Sequence, residues 1–198
     1  MFVCSPGFSQ RRLAIVDLSP SGHGPLCDPS GRFWITYNGE VYNHVELRRE
    51  LEGLGERFQS TSDTEVILAA YRHWGERSLD RLNGMFAFAI WDARLGRLFL
   101  ARDRFGKKPL FLCEDKGILW FASEIKAILA CPGVARELDT ESVWEYFSYR
   151  YVPAPRTLLG RTHPGDRPFR DAEPARPPHL SSDRDAAPAG SRSTIHLR

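Results

Sequence analysis

The chain has 198 residues, of which 42% are hydrophobic and 12% aromatic, enough for one domain with a buried core. Its 27 basic and 25 acidic side chains leave a net charge of +2, so no strong field draws it to nucleic acid or to an anionic membrane surface. No apolar run approaches the roughly 20 residues that span a bilayer, and the first residues lack the apolar core of a signal peptide. We therefore expect a cytoplasmic protein that binds neither nucleic acid nor a membrane.

The cysteine pattern gives no sign of a disulfide framework or a metal centre. The four cysteines are Cys4, Cys27, Cys113 and Cys131. None belongs to a C-x-x-C pair or has a histidine at zinc-ligand spacing. We expect free, reduced thiols and no metal site.

Composition divides the chain into three parts. Residues 1–10 read as an aberrant or truncated start, and residues 11–155 have the composition of a globular domain. Residues 156–198 are rich in proline and arginine, with Phe169 as their one aromatic side chain. Such a segment buries too little apolar surface to offset the entropy of ordering it, so it is predicted to be a disordered tail.

Two strands and two helices are predicted in the first half of the domain. Alternation over Leu13–Asp17 and the β-rich run Phe33–Tyr37 each favour a strand. Two candidate capping boxes, at residues 43–46 and 62–65, each precede an amphipathic pattern and predict helices. Gly55 and Gly75 are the expected helix ends.

The second half begins with Met85–Trp91, a run that is apolar on both faces and therefore predicts a central strand covered on both sides. Three short strands and two short helices follow, at Leu98–Ala101, Pro109–Leu112, Ile118–Ala122, Ser123–Leu129 and Thr140–Phe147. Tight turns join neighbouring strands, which indicates largely antiparallel sheets. The order of elements predicts an α+β fold rather than repeated βαβ units.

Six short stretches stand out from this pattern. They are Arg-Arg-Leu-Ala-Ile-Val-Asp (11–17), Tyr-Asn-Gly-Glu-Val-Tyr-Asn (37–43), Thr-Ser-Asp-Thr-Glu (61–65), Leu-Asn-Gly-Met-Phe-Ala-Phe-Ala (82–89), Ala-Arg-Asp-Arg-Phe-Gly (101–106) and Ala-Ser-Glu-Ile-Lys (122–126). In wording, order and spacing they resemble the class II glutamine amidotransferase domain of glutamine-hydrolysing asparagine synthetases, over residues 11–151.

The resemblance implies a fold and a reaction. The fold is the N-terminal-nucleophile sandwich, two antiparallel sheets flanked by helices, here incomplete at the N-terminus. In this family an N-terminal cysteine attacks the side-chain amide of glutamine and yields glutamate and ammonia. A synthetase domain or subunit then uses ATP and Mg to make asparagine. The implied partners are glutamine, that synthetase part and a second copy in a homodimer, and no cofactor is expected in this chain.

The resemblance also assigns a glutamine pocket. Arg12 would bind the α-carboxylate through its guanidinium fork. Asn38 and Gly39 would form the oxyanion hole through the side-chain amide and the backbone N–H. Glu40 and Asp63 would hold the α-ammonium.

Each assignment has a simpler alternative. Arg12 can be a surface arginine, Asn38-Gly39 a tight turn after a strand, Glu40 a solvated loop carboxylate and Asp63 a helix cap. Two further matched pairs, Asn83-Gly84 and Arg102-Asp103, are expected to be structural, the second as a buried ion pair.

The sequence departs from the family at the attacking residue, because Phe2 stands where cysteine is required. Only seven residues separate Cys4 from Arg12, where the family has several tens, and we do not expect Cys4 to act as the nucleophile. No Ser-Gly-Gly-x-Asp-Ser loop for ATP occurs. The predicted function is therefore the glutaminase domain of an asparagine synthetase, inactive in this chain.

Three alternatives remain open. One is a related class II amidotransferase that serves a sugar phosphate or phosphoribosyl pyrophosphate. Another is a non-catalytic glutamine-binding module, as in relatives similar to β-lactam synthetases. The third is a non-functional gene fragment of low stability.

Overall fold

The computed structural model describes Gly7 and residues 25–115, 118–153, 156–160 and 162–164. The predicted strand Leu13–Asp17, together with Arg12 and Cys4, lies outside these residues. The elements, in chain order, are β1 (Leu26–Cys27), β2 (Phe33–Val41), α1 (His44–Gly53), α2 (Asp63–Trp74), a 3₁₀ helix (Gly75–Asp80), β3 (Gly84–Asp92), β4 (Arg97–Arg102), β5 (Phe111–Asp115), β6 (Ile118–Ala122), α3 (Ile125–Leu129), α4 (Thr140–Tyr149) and β7 (Thr162–Pro164).

Two antiparallel sheets make up the β structure of the described residues. The first has the order β1-β2-β3-β4 and the second the order β6-β5-β7, and every pairing is antiparallel. Helices α1 and α2 pack on the first sheet. The predicted α+β fold of two antiparallel sheets with helices is thereby confirmed.

The central position predicted for the strand at Met85–Trp91 is confirmed by its packing. On one face, Phe86, Phe88 and Ile90 join the core beneath α1 and α2. On the other, Ala87 and Ala89 pack against leucines that include Leu110 and Leu112 near the second sheet. Strand β3 is thus covered by apolar side chains on both faces.

The second helix follows its sequence pattern closely. Ser62 caps α2 by accepting a hydrogen bond from Thr64 N, and Gly75 ends it with φ 58°. The carboxylate of Glu65 does not close a capping box; it accepts hydrogen bonds from the backbone of Gln59 and Ser60 instead. No helix among the described residues is long and apolar enough to cross a membrane.

The capping box predicted at Asn43 is wrong, although the helix itself is present. The Asn43 side chain caps nothing in α1. Its amide donates to Arg81 O over 2.9 Å and its carbonyl oxygen accepts from Asn83 N over 2.9 Å. A loop that is distant in sequence outcompetes the local N-cap for both polar groups of this side chain.

Strand β7 falls inside the segment 156–198 that composition assigns to a tail. Its residues pair with Phe111, Leu112 and Cys113 of β5, and Leu159 forms a bridge with Leu138. Backbone pairing needs no apolar side chains, so composition places the end of the ordered region too early. Residues 165–198 lie outside the described residues.

Three buried aspartates, Asp28, Asp92 and Asp103, carry charge in the interior of the fold. Burial by itself would raise the pKa of each carboxyl, but donated hydrogen bonds outweigh it and all three pKa values lie below the usual 3.8. For Asp92 the strongest donor is the Arg32 guanidinium, and for Asp103 it is the Lys108 backbone N–H.

These lowered pKa values predict loss of stability in acid. A carboxyl whose pKa is lower in the folded than in the unfolded state stabilises the fold above the unfolded value. That contribution disappears as the pH falls through the folded value. Urea unfolding should give a constant free energy near neutrality and a fall below about pH 4. The free energy of unfolding of Asp92→Asn should fall less steeply with decreasing pH than that of the parent. A urea midpoint of the parent that is the same at pH 7 and pH 3 would contradict the linkage.

Candidate active site

Three of the predicted site residues lie together at the end of β2. Asn38, Gly39 and Glu40 are opposite Ala87, Phe86 and Met85 in the antiparallel ladder. The strand continues to Val41, so the interpretation of Asn38-Gly39 as a tight turn is wrong, and so is that of Glu40 as a loop residue. The pairing with β3 overrides the turn preference of the Asn-Gly dipeptide.

Gly39 is required here by a close approach of two backbones. Its φ is +155°, and a Cβ at this position would lie 2.2 Å from Met85 O and 2.7 Å from Phe86 Cα. The neighbouring strand shows the same contact in reverse, since a Cβ on Gly84 would lie 2.2 Å from Glu40 O. The two glycines let β2 and β3 approach where the candidate site begins.

Asp63 is the first residue of α2 and is 3% exposed. Its Oδ2 accepts a hydrogen bond from the Tyr37 hydroxyl over 2.7 Å and from Val41 N over 3.0 Å. The helix cap is supplied by Ser62, so capping by Asp63 is wrong as the explanation for this carboxylate. The Asp63 side chain instead joins the start of α2 to the end of β2.

The side chains of β2 alternate between its two faces. Tyr37 and Val41 are buried beneath the helices, whereas Asn38 lies on the opposite face and is exposed. Its ladder partner, Ala87, belongs to the apolar cluster on the side of the second sheet. The Asn38 amide is therefore open to a ligand at the strand end. Asp63 accepts the backbone N–H of Val41, only three residues further along the strand.

Val41 is fixed by hydrogen bonds on both of its backbone polar groups. Its N–H donates to Asp63, and its carbonyl accepts from His44 Nδ1 over 2.9 Å. Tyr42 N donates to Asn83 O over 2.8 Å. The strand end that carries the candidate residues is held by α1, α2 and the loop before β3, so it is pre-organised.

The tyrosine that contacts Asp63 stays protonated. Burial and the neighbouring Asp63 carboxylate raise the pKa of Tyr37 far above its usual value. A phenol with so high a pKa keeps its proton and donates it in the hydrogen bond to Asp63.

The pair Arg102-Asp103 is structural, but the predicted ion pair between them is wrong. Arg102 donates to Lys108 O and Gly106 O, both over 2.6 Å. Asp103 accepts backbone N–H groups from Phe86 and from the loop that follows. The two side chains thus stabilise the loop 103–108 in different ways: Arg102 binds its carbonyl groups and Asp103 binds its N–H groups.

Arg12, which the resemblance places in the glutamine pocket, and Cys4, which is not expected to act as the nucleophile, lie outside the described residues, so both statements stay predictions. Within the described ranges, no group of three or more His, Cys, Asp or Glu side chains is placed to hold a metal ion.

Comparison with known protein families decides the assignment. Residues 5–164 match the model of the glutamine amidotransferase domain family. This chain belongs to that family. The amidotransferase domain thus includes β2, the start of α2 and the two glycines that bring β2 and β3 together.

Within the glutamine amidotransferase family, the chain is similar to asparagine synthetases. The chain is 43% identical over 164 residues to asparagine synthetase (glutamine-hydrolyzing) 1 of Bacillus subtilis strain 168, covering 81% of this chain and 26% of that protein. It is 42% identical over 174 residues to synthetase 3 of the same organism, covering 87% and 27%. The chain therefore spans about a quarter of the length of these relatives.

A solved structure supports the fold. Glutamine phosphoribosylpyrophosphate amidotransferase of B. subtilis, complexed with ADP and GMP, is similar with a TM-score of 0.50 and 26% identity. The match covers 57% of this chain and 27% of that one. The sandwich of the N-terminal-nucleophile amidotransferases, expected from the resemblance, is confirmed.

Sequence reasoning missed two side chains of the amidotransferase domain. Tyr37 belongs to a predicted strand and to a matched motif, and neither gives its hydroxyl a role, although a buried tyrosine needs a hydrogen-bond partner and an aspartate beside a helix start is a candidate. The local pattern favours Asn43 as a helix cap. Its true partners are 38 and 40 residues away in sequence, and no local signal identifies them.

Proposed function

We propose that this chain carries the glutamine pocket of the asparagine synthetase domain in which glutamine and water give glutamate and ammonia, and that this chain itself binds glutamine without hydrolysing it. The observation that supports it is the grouping of Asn38, Gly39 and Glu40 on β2 with Asp63 bonded to the same strand end. In this proposal Asp63 and Glu40 hold the α-ammonium, Asn38 and Gly39 receive the amide oxygen, and Arg12 binds the α-carboxylate.

The arrangement suits an amino-acid amide on electrostatic grounds. A buried carboxylate pairs best with a cation that enters with its own hydrogen-bond donors, and an ammonium offers three. An exposed amide donor on the neighbouring strand can stabilise the oxygen that becomes negative when the amide is attacked. The ammonia would pass to a synthetase domain or subunit, which would hold the ATP and Mg.

Binding and hydrolysis are measured separately, because cysteine does not stand at position 2. Isothermal titration of the 198-residue chain with L-glutamine should show binding, and a coupled assay should detect no ammonia. Ammonia release would identify a working nucleophile, with Cys4→Ala as the variant that tests it. Absence of glutamine binding would overturn the proposal.

The pocket assignment is tested by Asp63→Asn. Removing a buried charge that pairs with the ligand ammonium costs about 2 kcal/mol or more, so the Kd for glutamine should rise roughly 30-fold. The matched control is Asp80→Asn, which removes the same charge from an exposed position. Equal affinities in the two variants would remove Asp63 from the pocket.

A further inference from the structure

Tyr37 is not among the residues assigned to the glutamine pocket. It lies on the buried face of β2, is 6% exposed and donates its hydroxyl proton to Asp63 Oδ2 over 2.7 Å. The same oxygen accepts the backbone N–H of Val41 over 3.0 Å. One carboxylate oxygen thus receives both donors.

This asymmetry matters because a carboxylate oxygen has two lone-pair sites. Two donors occupy the Oδ2 sites, and both hydrogen bonds that Asp63 accepts within the described part of the chain end there. Oδ1 is left for a ligand. The torsion that turns a carboxylate plane is broad and two-fold in the absence of partners, so two donors on one oxygen fix the plane.

The two donors differ in whether a mutation can remove them without changing the fold. Val41 N–H belongs to the backbone of a strand end whose carbonyl is held by His44. The Tyr37 hydroxyl is the side-chain contribution, and a single oxygen atom can be deleted without changing the ring that packs in the core. The contribution of Tyr37 is therefore separable from the fold.

We infer that Tyr37 is a positioning residue: it holds Asp63 so that Oδ1 alone faces the α-ammonium group of the ligand, and thereby sets the preference of the pocket for α-amino acid amides. The inference rests on the proposed function. An amide with the same carbon chain but no α-amino group gains nothing from an oriented Oδ1, so it should bind without regard to the Tyr37 hydroxyl.

The test compares Tyr37→Phe with the parent chain by titration with L-glutamine and with 4-carbamoylbutanoate, which lacks the α-amino group. A hydrogen bond to a charged group is worth enough for the Kd of glutamine to rise on the order of tenfold, with less than about a twofold change for the analogue. In the Asp63→Asn background the same substitution should have no effect on glutamine, because Tyr37 acts through Asp63.

The matched control is Tyr71→Phe. Tyr71 is also a buried tyrosine, stacked on Phe99 at 5.0 Å between ring centroids, and its hydroxyl makes no hydrogen bond in the described part of the structure. This variant should bind both ligands like the parent, and circular dichroism should show both variants folded.

Four outcomes would overturn the inference. If Tyr37→Phe binds glutamine like the parent, or weakens glutamine and the analogue equally, Tyr37 does not orient Asp63 for the ammonium, while the proposed function stands. If Tyr37→Phe still weakens glutamine in the Asp63→Asn background, it does not act through Asp63. If the parent chain binds no glutamine, the proposed function and the inference fail together.

Discussion

Replacing Gly39 with alanine is expected to lower the free energy of unfolding by about 3 kcal/mol or more, a large fraction of the roughly 5–15 kcal/mol that stabilises a native domain. The added methyl group would lie 2.2 Å from Met85 O and 2.7 Å from Phe86 Cα. Both atoms belong to the backbone of the central strand, so no side chain can move aside. The φ of +155° adds strain for any residue with a Cβ.

The measurement is urea unfolding followed by circular dichroism, with Gly53→Ala as the control. Gly53 closes α1, and a Cβ there meets nothing within 4 Å. Alanine is the better helix former by roughly 1 kcal/mol, so the control should unfold at the same or a slightly higher urea concentration. A Gly39→Ala protein with the stability of the parent would show that β2 and β3 can separate at this point.

The helices and the central strand could be predicted because their signals are local and repeated. Four apolar positions of α2, Val66, Ile67, Ala69 and Ala70, define a buried face that is visible in the sequence. Strand β3 shows its two covered faces by having no polar position between Met85 and Trp91. These patterns depend on burial, which hydrophobic periodicity reports directly.

The errors arose where a residue has a partner far along the chain. Asn38-Gly39 has the composition of a turn, but pairing with β3 makes it part of a strand. Asn43 precedes a helix, but its side chain bonds to the loop before β3. Asp103 follows an arginine, but its carboxylate accepts the backbone N–H of Phe86, which precedes it by 17 residues, together with N–H groups of the loop that follows. Turn and cap rules score neighbours in sequence, and cannot weigh a competing partner in space.

The candidate site could be proposed from the sequence only through the resemblance to a family. Asn38, Gly39, Glu40 and Asp63 lie on two elements, and nothing in their spacing shows that they meet. The geometry adds what the motif lacks, namely the donors that orient Asp63. Tyr37 supplies one of these donors, and it lies on the same strand, β2, as the candidate residues Asn38, Gly39 and Glu40. The hydrogen bond that joins β2 to α2 is therefore also one that contacts a candidate pocket residue.

Asp103→Ala is expected to cost about 3–5 kcal/mol of stability, because four backbone N–H groups lose their acceptor in a buried site. Asp103 is 2% exposed. It accepts from Phe105 and Lys107 on Oδ1, and from Lys108 and Phe86 on Oδ2, over 2.9–3.3 Å. The loop that leads from β4 to β5 is therefore folded around one carboxylate.

Hydrogen exchange of individual amides distinguishes the loss of the Asp103 hydrogen bonds from a general loss of packing. Hydrogen exchange of the Phe105, Lys107 and Lys108 amides should accelerate in Asp103→Ala even in conditions where the rest of β3 stays protected, since these groups have lost the same acceptor. Asp80→Ala, at an exposed position, should change the free energy of unfolding by less than about 0.5 kcal/mol. Unchanged protection at all three amides would mean that the loop holds its shape without the carboxylate, and that Arg102, bonded to Gly106 O and Lys108 O, is sufficient to fold it.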